Sequence, residues 1–266
     1  MAGSLRLLRR DFAVQRQVVG AIMMRELVTR WGRRNLGFAW LFCEPLVFAF
    51  SVIAVWSYVR APFDRGLPMT AFVWSGYMPL LIFRHVTSGA LESISNSAAL
   101  LYHRRVTPLD LFLGRQGLEA LGNLASVAVS FVVFIAIGAM NWPENYSLML
   151  FGFLYTTWWS LCVALIIASL SERFEAVLHI WPPVSYLYIF FSGFFILADW
   201  LPPDLRRIAL AVDPPLHCYE MVRGGLFGDQ LMHPHYDVAY LTFLLTVLTL
   251  IGLALVKDVR KHLELE

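Results

Sequence analysis

Apolar residues in this chain come in long blocks rather than in alternation. The blocks are Phe38–Val59, Leu67–Phe83, Leu118–Met140, Leu148–Leu170, Val177–Ala198 and Ala239–Val256. The second extends through Val86 and Ala90 towards Leu91, and the fifth contains Pro182-Pro183. A helix needs about 20 apolar residues to cross a bilayer. The pattern therefore predicts an all-α membrane protein of about six spans. Between the fifth and last blocks, residues 199–237 break the pattern. Pro202-Pro203 and Pro214-Pro215 punctuate two short apolar runs, "RRIALAV" and "LHCYEMV". Neither run is long enough to span, so short helices dipping partway into the membrane are expected there. Such backbone is tolerated only against protein or a wet cavity.

Ahead of the first block, Val19, Met23, Leu27 and Trp31 recur every fourth residue, with Arg16, Arg25 and Arg33 away from that stripe. This suits a helix lying in the inner membrane interface, with Arg25, Arg30, Arg33 and Arg34 near anionic headgroups. The plainer alternative is a solvated basic tail that only fixes topology. Gly32 and Gly37 would let the chain turn from surface helix to span. Composition agrees with the blocks: 58% of residues are hydrophobic and 15% charged, against about 25% charged in soluble domains. The spread of Arg6, Arg9, Arg10 and Arg16, with no short apolar core behind them, does not fit a cleavable signal.

Charge placement orients the blocks. With the N-terminus inside, segments 1–37, 84–116, 171–176 and 257–266 hold 16 of the 21 Lys and Arg residues. Acidic residues gather on the other side, among them Asp64, Glu144, Asp199, Asp204, Asp213, Glu220, Asp229 and Asp237. The positive-inside rule then puts both termini in the cytoplasm. The expected organisation is an interfacial segment (1–37), a transmembrane domain (38–256) and a cytoplasmic tail (257–266).

Two helical faces attract attention. In the first block Trp40, Glu44, Val47, Ser51, Ala54 and Tyr58 follow steps of four and three. A carboxylate in a span faces protein or water, because lipid exposure costs several kcal/mol, and Pro45 can kink the helix beside it. Glu44 is read either as part of a gate or substrate entrance, or as a structural partner of an interfacial arginine. In the fifth block Trp181, Ser185, Tyr188, Ser192 and Phe195 share a face. Rings that stack and hydroxyls that bond suit a sugar path; close helix packing through small serines is the alternative. Trp158 and Trp159 point about 100° apart and cannot both line one narrow path.

Other chemistry is sparse. His233, His235 and Asp237 in "HPHYD" carry ligand-type side chains, but the proline and loop setting make a metal site a weak reading, and none is expected. Arg223 with Gly224-Gly225 reads as a loop anchor. Cys43, Cys162 and Cys218 show no paired spacing. The only lysines are Lys257 and Lys261, and neither sits in a GxxxxGK[ST] phosphate loop. Pumped work would therefore draw its energy from another subunit.

Three stretches carry a likeness. They are "MRELVTRWGRRNLGFAWLFCEPL", "LLYHRRVTPLDLFLGRQGLEAL" (Leu100–Leu121) and "LPPDLRRIALAVDPPLHCYEMVRGG" (Leu201–Gly225). In order and spacing they resemble the membrane subunit of type-2 ABC exporters, and the capsular-polysaccharide branch most. Asp213-Pro214-Pro215 departs from that family, which more often carries Asn-Pro there.

The resemblance implies a non-catalytic permease of the bacterial inner membrane. It implies a homodimer with a path between copies, two ATPase subunits that bind the ATP and magnesium, and a lipid-linked polysaccharide as cargo. Periplasmic or outer-membrane export proteins and membrane lipids would be further partners; no nucleic acid is expected. By the same likeness residues 96–116 hold the coupling segment, with Tyr102, His103, Arg104, Arg105 and Asp110 near the ATPase, and Glu44-Pro45 bends the first span at the mouth of the path. Rival readings are a permease for a small lipid or drug and a membrane-embedded transferase acting on lipid-linked sugars. The transferase would need a convergent acid–base or metal set, which the sequence does not display.

Overall fold

The computed structural model describes residues 2–31, 47, 50–52, 54–55, 63–64, 67–91, 93–102, 106–229 and 231–263. Helix α1 runs from Ala2 to Trp31. Strands β1 (Phe63–Asp64) and β2 (Leu67–Pro68) form a small antiparallel hairpin before α2 (Met69–Ser88). A 3-10 helix (Ser95–Tyr102) precedes α3 (Pro108–Ala136) and α4 (Tyr146–Ser171). Further along the described residues come α5 (Ala176–Leu187), α6 (Pro203–Val212), α7 (Pro214–Phe227) and α8 (Val238–Leu263).

Among the described residues, three helices are long and apolar enough to cross a membrane: Pro108–Ala136, Tyr146–Ser171 and Val238–Val259. They match the third, fourth and last predicted blocks, and α3 starts at Pro108 rather than Leu118. Its start is encoded locally. Thr107 caps the helix, accepting from Asp110 N, while the Asp110 carboxylate accepts from Thr107 N, and Pro108 takes the first turn, where no N–H is needed. Asn145 caps α4 by accepting from Leu148 N.

The core lies around α2, which is buried along most of its length. Trp74 sits at its centre, its indole N–H donating 3.0 Å to Ser130 Oγ, with Phe131 and Phe153 packed on its faces. Helices α4 and α8 are joined by a polar seam inside the apolar region. Tyr155 bonds Thr242 at 2.8 Å, and Trp158 donates to Thr249 at 3.1 Å. Each polar group is met by a side chain of the facing helix, which removes the cost of leaving it bare in lipid.

The two ends of the bundle separate cleanly. At one end Asn145 N donates to Gly225 O, and Pro68, Trp142 and Glu144 gather with Leu226. At the other, Ser95 N donates to Glu172, and Arg173 pairs with Asp258 at 2.9 Å. These are the predicted outside and inside segments, respectively.

The fifth block departs from its prediction as one continuous helix. α5 ends at Leu187, a 3-10 turn runs to Phe190, and the chain then bends at Gly193, whose φ is 75°. A side chain at that φ is strained, and a Cβ there would meet Leu216 Cδ1 at 2.7 Å. Backbone carbonyls released by the bend need donors, and those come from α7.

Candidate functional site

Helix α7 supplies the most unusual feature of the molecule. It is buried from Pro215 to Phe227, including Glu220 and Arg223, both 0% exposed. Arg223 donates to three carbonyls of the bend: Gly193 O at 2.7 Å, Ile196 O at 3.0 Å and Phe194 O at 2.6 Å. Its guanidinium lies 4.5 Å from the Phe72 ring centre. Gly76 of α2 makes room; a Cβ there would come within 3.1 Å of Arg223 Nη2. One turn earlier, Glu220 accepts from Ala198 N and from His235 N, both at 2.9 Å. Burial pushes the Glu220 carboxyl up from its ordinary value, while those two N–H donors hold it down. Arg223 thus fastens the bend after α5 to α7, and Glu220 fastens the connections on either side.

Glycines let α7 lie against α4. A Cβ at Gly225 would sit 2.3 Å from Met149 N, and one at Gly152 2.7 Å from Val222 N. Arg223, Gly224 and Gly225 lie inside helix α7, and from there Arg223 bonds the carbonyls of the bend. What sequence reasoning missed was Glu220 and its burial. A Glu and an Arg at i and i+3 in an otherwise apolar run, followed by Gly-Gly, were the available signal.

The fifth-block stripe is turned inward. Ser185 and Ser192 are buried, and their hydroxyls donate to Pro182 O and Ile189 O on their own backbone. Tyr188 packs 4.4 Å from the Phe83 ring and Trp181 6.2 Å from it. Phe195 contacts Phe190 and Phe194. In this conformation the stripe packs against α2. The outward side of α5 and its continuation carries Ile180, Tyr186, Leu187, Phe190 and Phe191 instead, with Arg84 over the Tyr186 ring at 3.9 Å.

In the first block Trp40, Glu44 and Tyr58 lie outside the described residues. Val47, Ser51 and Ala54 of the same predicted face are exposed, while Val52 packs towards the core. Ser51 donates to Val47 O at 2.7 Å.

At the inner end, α1 docks on α3. Ile22 is buried over Gly114, where a Cβ would meet it at 2.5 Å, and Gln15 Nε2 donates to Asp110 Oδ1 at 3.1 Å. The buried contact centres on Ile22, while Val19, Met23 and Leu27 of the predicted stripe are half-buried and Arg25 is exposed. Asp110 is buried, with one oxygen bonded to Gln15 and the other to Thr107, so it ties α1 to the start of α3 and does not present a charge outward. His103, Arg104, Arg105, Arg33 and Arg34 lie outside the described residues, as do the side chains of Arg30 and Tyr102. The "HPHYD" residues have separate partners: His235 bonds Arg206, and Asp237 accepts from Tyr240 N at the start of α8.

Comparisons with known proteins cover most of this architecture. Residues 17–227 match the model of the ABC-2 type transporter family. The capsule polysaccharide export inner-membrane protein CtrC of Neisseria meningitidis serogroup B is 37% identical over 254 residues, 96% of this chain and 95% of that protein. A capsule polysaccharide export inner-membrane protein BexB of Haemophilus influenzae is 34% identical, covering 96% of each chain. The polysialic acid transport protein KpsM of Escherichia coli is 24% identical, over 93% of this chain and 95% of its own.

Proposed function

Because the chain belongs to the ABC-2 type transporter family, we propose that it is the membrane subunit of an ATP-driven exporter. It moves a lipid-linked capsular polysaccharide across a bacterial inner membrane. The observation that carries this is the likeness to CtrC over nearly the full length of both proteins. The family does not require bond chemistry of its permease, and ATP and magnesium would be bound by a separate subunit. Two copies of the chain would form the path and each would dock one ATPase.

In that assembly the α1–α3 clasp sets the position of residues 96–116, so that Tyr102, His103, Arg104 and Arg105 meet the ATPase while Asp110 holds the segment's shape. The first-block face with Trp40, Glu44, Ser51 and Tyr58 is the better candidate for the path in the resting state, because its described residues are exposed. Trp181 and Tyr188 would join the path only if the contact with Phe83 opens. Polymer passage suits many weak contacts, each ring stack worth about 0.5–1.5 kcal/mol.

The test is export itself. Cells lacking the chain should lose surface polysaccharide and regain it with the wild-type chain. Arg104→Glu with Arg105→Glu should insert normally yet export little, and should copurify poorly with the ATPase or leave its hydrolysis uncoupled. Restored export without any ATPase partner, or normal export by the double variant, would overturn the respective part of the proposal. Both termini are placed in the cytoplasm by the same reading. A cysteine at Asp229 reacts with an impermeant reagent from outside, and one at Lys261 does not.

A further inference from the structure

A cavity of about 570 Å³ opens at the outer end of the molecule. It lies within the size range of about 300–1,000 Å³ typical of small-ligand sites. Its walls come from α6, the start of α7, the connection 234–237 and the first turn of α8. Part of it is rigid. His217 Nε2–H donates to Leu210 O at 2.8 Å, and its Nδ1 accepts from Asp237 N at 3.0 Å. Both ring nitrogens are thereby used, and the ring is held neutral; burial also lowers its pKa. Tyr240 packs on the His217 ring and donates its hydroxyl to Ala211 O. Asp237 commits one carboxylate oxygen to Tyr240 N.

The other part is uncommitted. Arg207 is exposed and, among the described residues, makes no hydrogen bond or ion pair. Tyr236 is likewise exposed, with its ring on the cavity wall. Asp237 keeps its second oxygen. The cavity thus offers one cation, one open aromatic ring and one acceptor on a fixed back wall. A phosphate or a fatty acid would use the cation but would leave the carboxylate facing another negative group. A sugar bearing one carboxylate uses all three.

We propose that this cavity is an outer-face subsite for a carboxylated sugar residue. Arg207 holds the carboxylate, the Tyr236 ring carries the apolar face of the sugar, and Asp237 accepts from its hydroxyls. The proposal deepens the export reading, on which it rests for the source of the sugar; the binding itself can be measured alone.

The experiment uses the full chain in phosphatidylcholine nanodiscs, titrated with sodium glucuronate, glucose and glycerol 1-phosphate by saturation-transfer NMR. Glucuronate should bind at least about tenfold more tightly than glucose, the effect of one charge-assisted hydrogen bond. Arg207→Gln should remove that preference, Arg207→Lys should restore part of it, and Tyr236→Ala should weaken both sugars. Equal binding of glucuronate and glucose by the wild-type chain overturns the proposal, and that comparison needs no variant. Tighter binding of glycerol 1-phosphate than of glucuronate also overturns it and assigns the cavity to a lipid headgroup. Capsule export is read in parallel. Normal export without glucuronate binding sinks the subsite alone, whereas glucuronate binding in a chain that restores no capsule sinks the transport reading alone.

Discussion

Helices α6 and α7 are neighbours in sequence, similar in length, and both start at a proline pair. Their fates differ completely. α6 has no buried residue, and Leu205, Ile208 and Val212 stand exposed along one side. α7 is buried from Pro215 onwards although it carries His217, Glu220 and Arg223. Apolar content does not explain the difference. What α7 has is partners for His217, Glu220 and the terminal nitrogens of Arg223, and two places, opposite Gly152 and at Gly225, where its backbone can touch α4. Burial in this molecule follows from satisfied hydrogen bonds and close backbone approach, because a charge without partners in an apolar setting is costly.

The largest expected effect comes from breaking that satisfaction. Arg223→Met keeps much of the volume but strips donors from Gly193 O, Phe194 O and Ile196 O. Each buried carbonyl left without its donor costs about 1–3 kcal/mol. The variant should insert poorly or melt far below the wild type in detergent, and Arg223→Lys should recover only part, since an ammonium lacks the planar fork. A melting point within a degree of wild type for Arg223→Met would show that the bend after α5 holds itself.

The same comparison explains what the sequence could and could not reveal. Helices α3, α4 and α8 were legible because long apolar blocks and capping residues such as Thr107 and Asn145 act locally. The two short runs "RRIALAV" and "LHCYEMV" were legible as short helices because a proline pair opens each and neither is long enough to span, and they are α6 and α7. Which of the two is buried was not legible, because it depends on carbonyls 27 to 30 residues away in sequence. The bend at Gly193 was hidden for a related reason. An apolar run reads as a continuous span unless one knows that Arg223 waits to bond its carbonyls. Periodicity groups Trp181, Ser185, Tyr188, Ser192 and Phe195 on one face, but it does not say whether that face meets a neighbour or a path, nor that the helix ends before Phe195. Gln15 and Asp110, joined across 95 residues, were beyond any local pattern.

A smaller effect is expected at the junction between the two helices. Asp213 precedes α7 but makes no side-chain cap, and its Oδ2 is buried without a hydrogen bond. Burial pushes its carboxyl up to about 7. The folded state therefore holds a proton that the unfolded state has released. That contribution is full below the ordinary carboxylate pKa and is lost as pH rises towards 7. Asp213→Asn cannot ionise and escapes the loss. Its melting point should match wild type near pH 4 and exceed it at pH 8, by about 1–2 kcal/mol in stability once residual exposure is discounted. A constant gap across that range would mean that ionisation of Asp213 is not what matters.

The smallest effect is expected on α6, and it sharpens the contrast most. Ile208 lies at the middle of the exposed ridge and is 60% exposed. Within one chain it has little packing to lose, so Ile208→Ser should change stability by no more than about 0.5 kcal/mol. Serine is also close to isoleucine in helix propensity, so α6 itself should persist. The measurement is a thermal melt of the monomeric chain in detergent, run beside Arg223→Met. If Ile208→Ser falls as far as the α7 variant, the ridge is not a free surface, and α6 is held by apolar packing that its open position conceals. If it stays with wild type, the two helices obey different rules: α7 is held by its burial and polar bonds, and α6 by a few bonds at its flanks, where Arg206 meets Leu201 O and His235, His217 donates to Leu210 O and Tyr240 donates to Ala211 O.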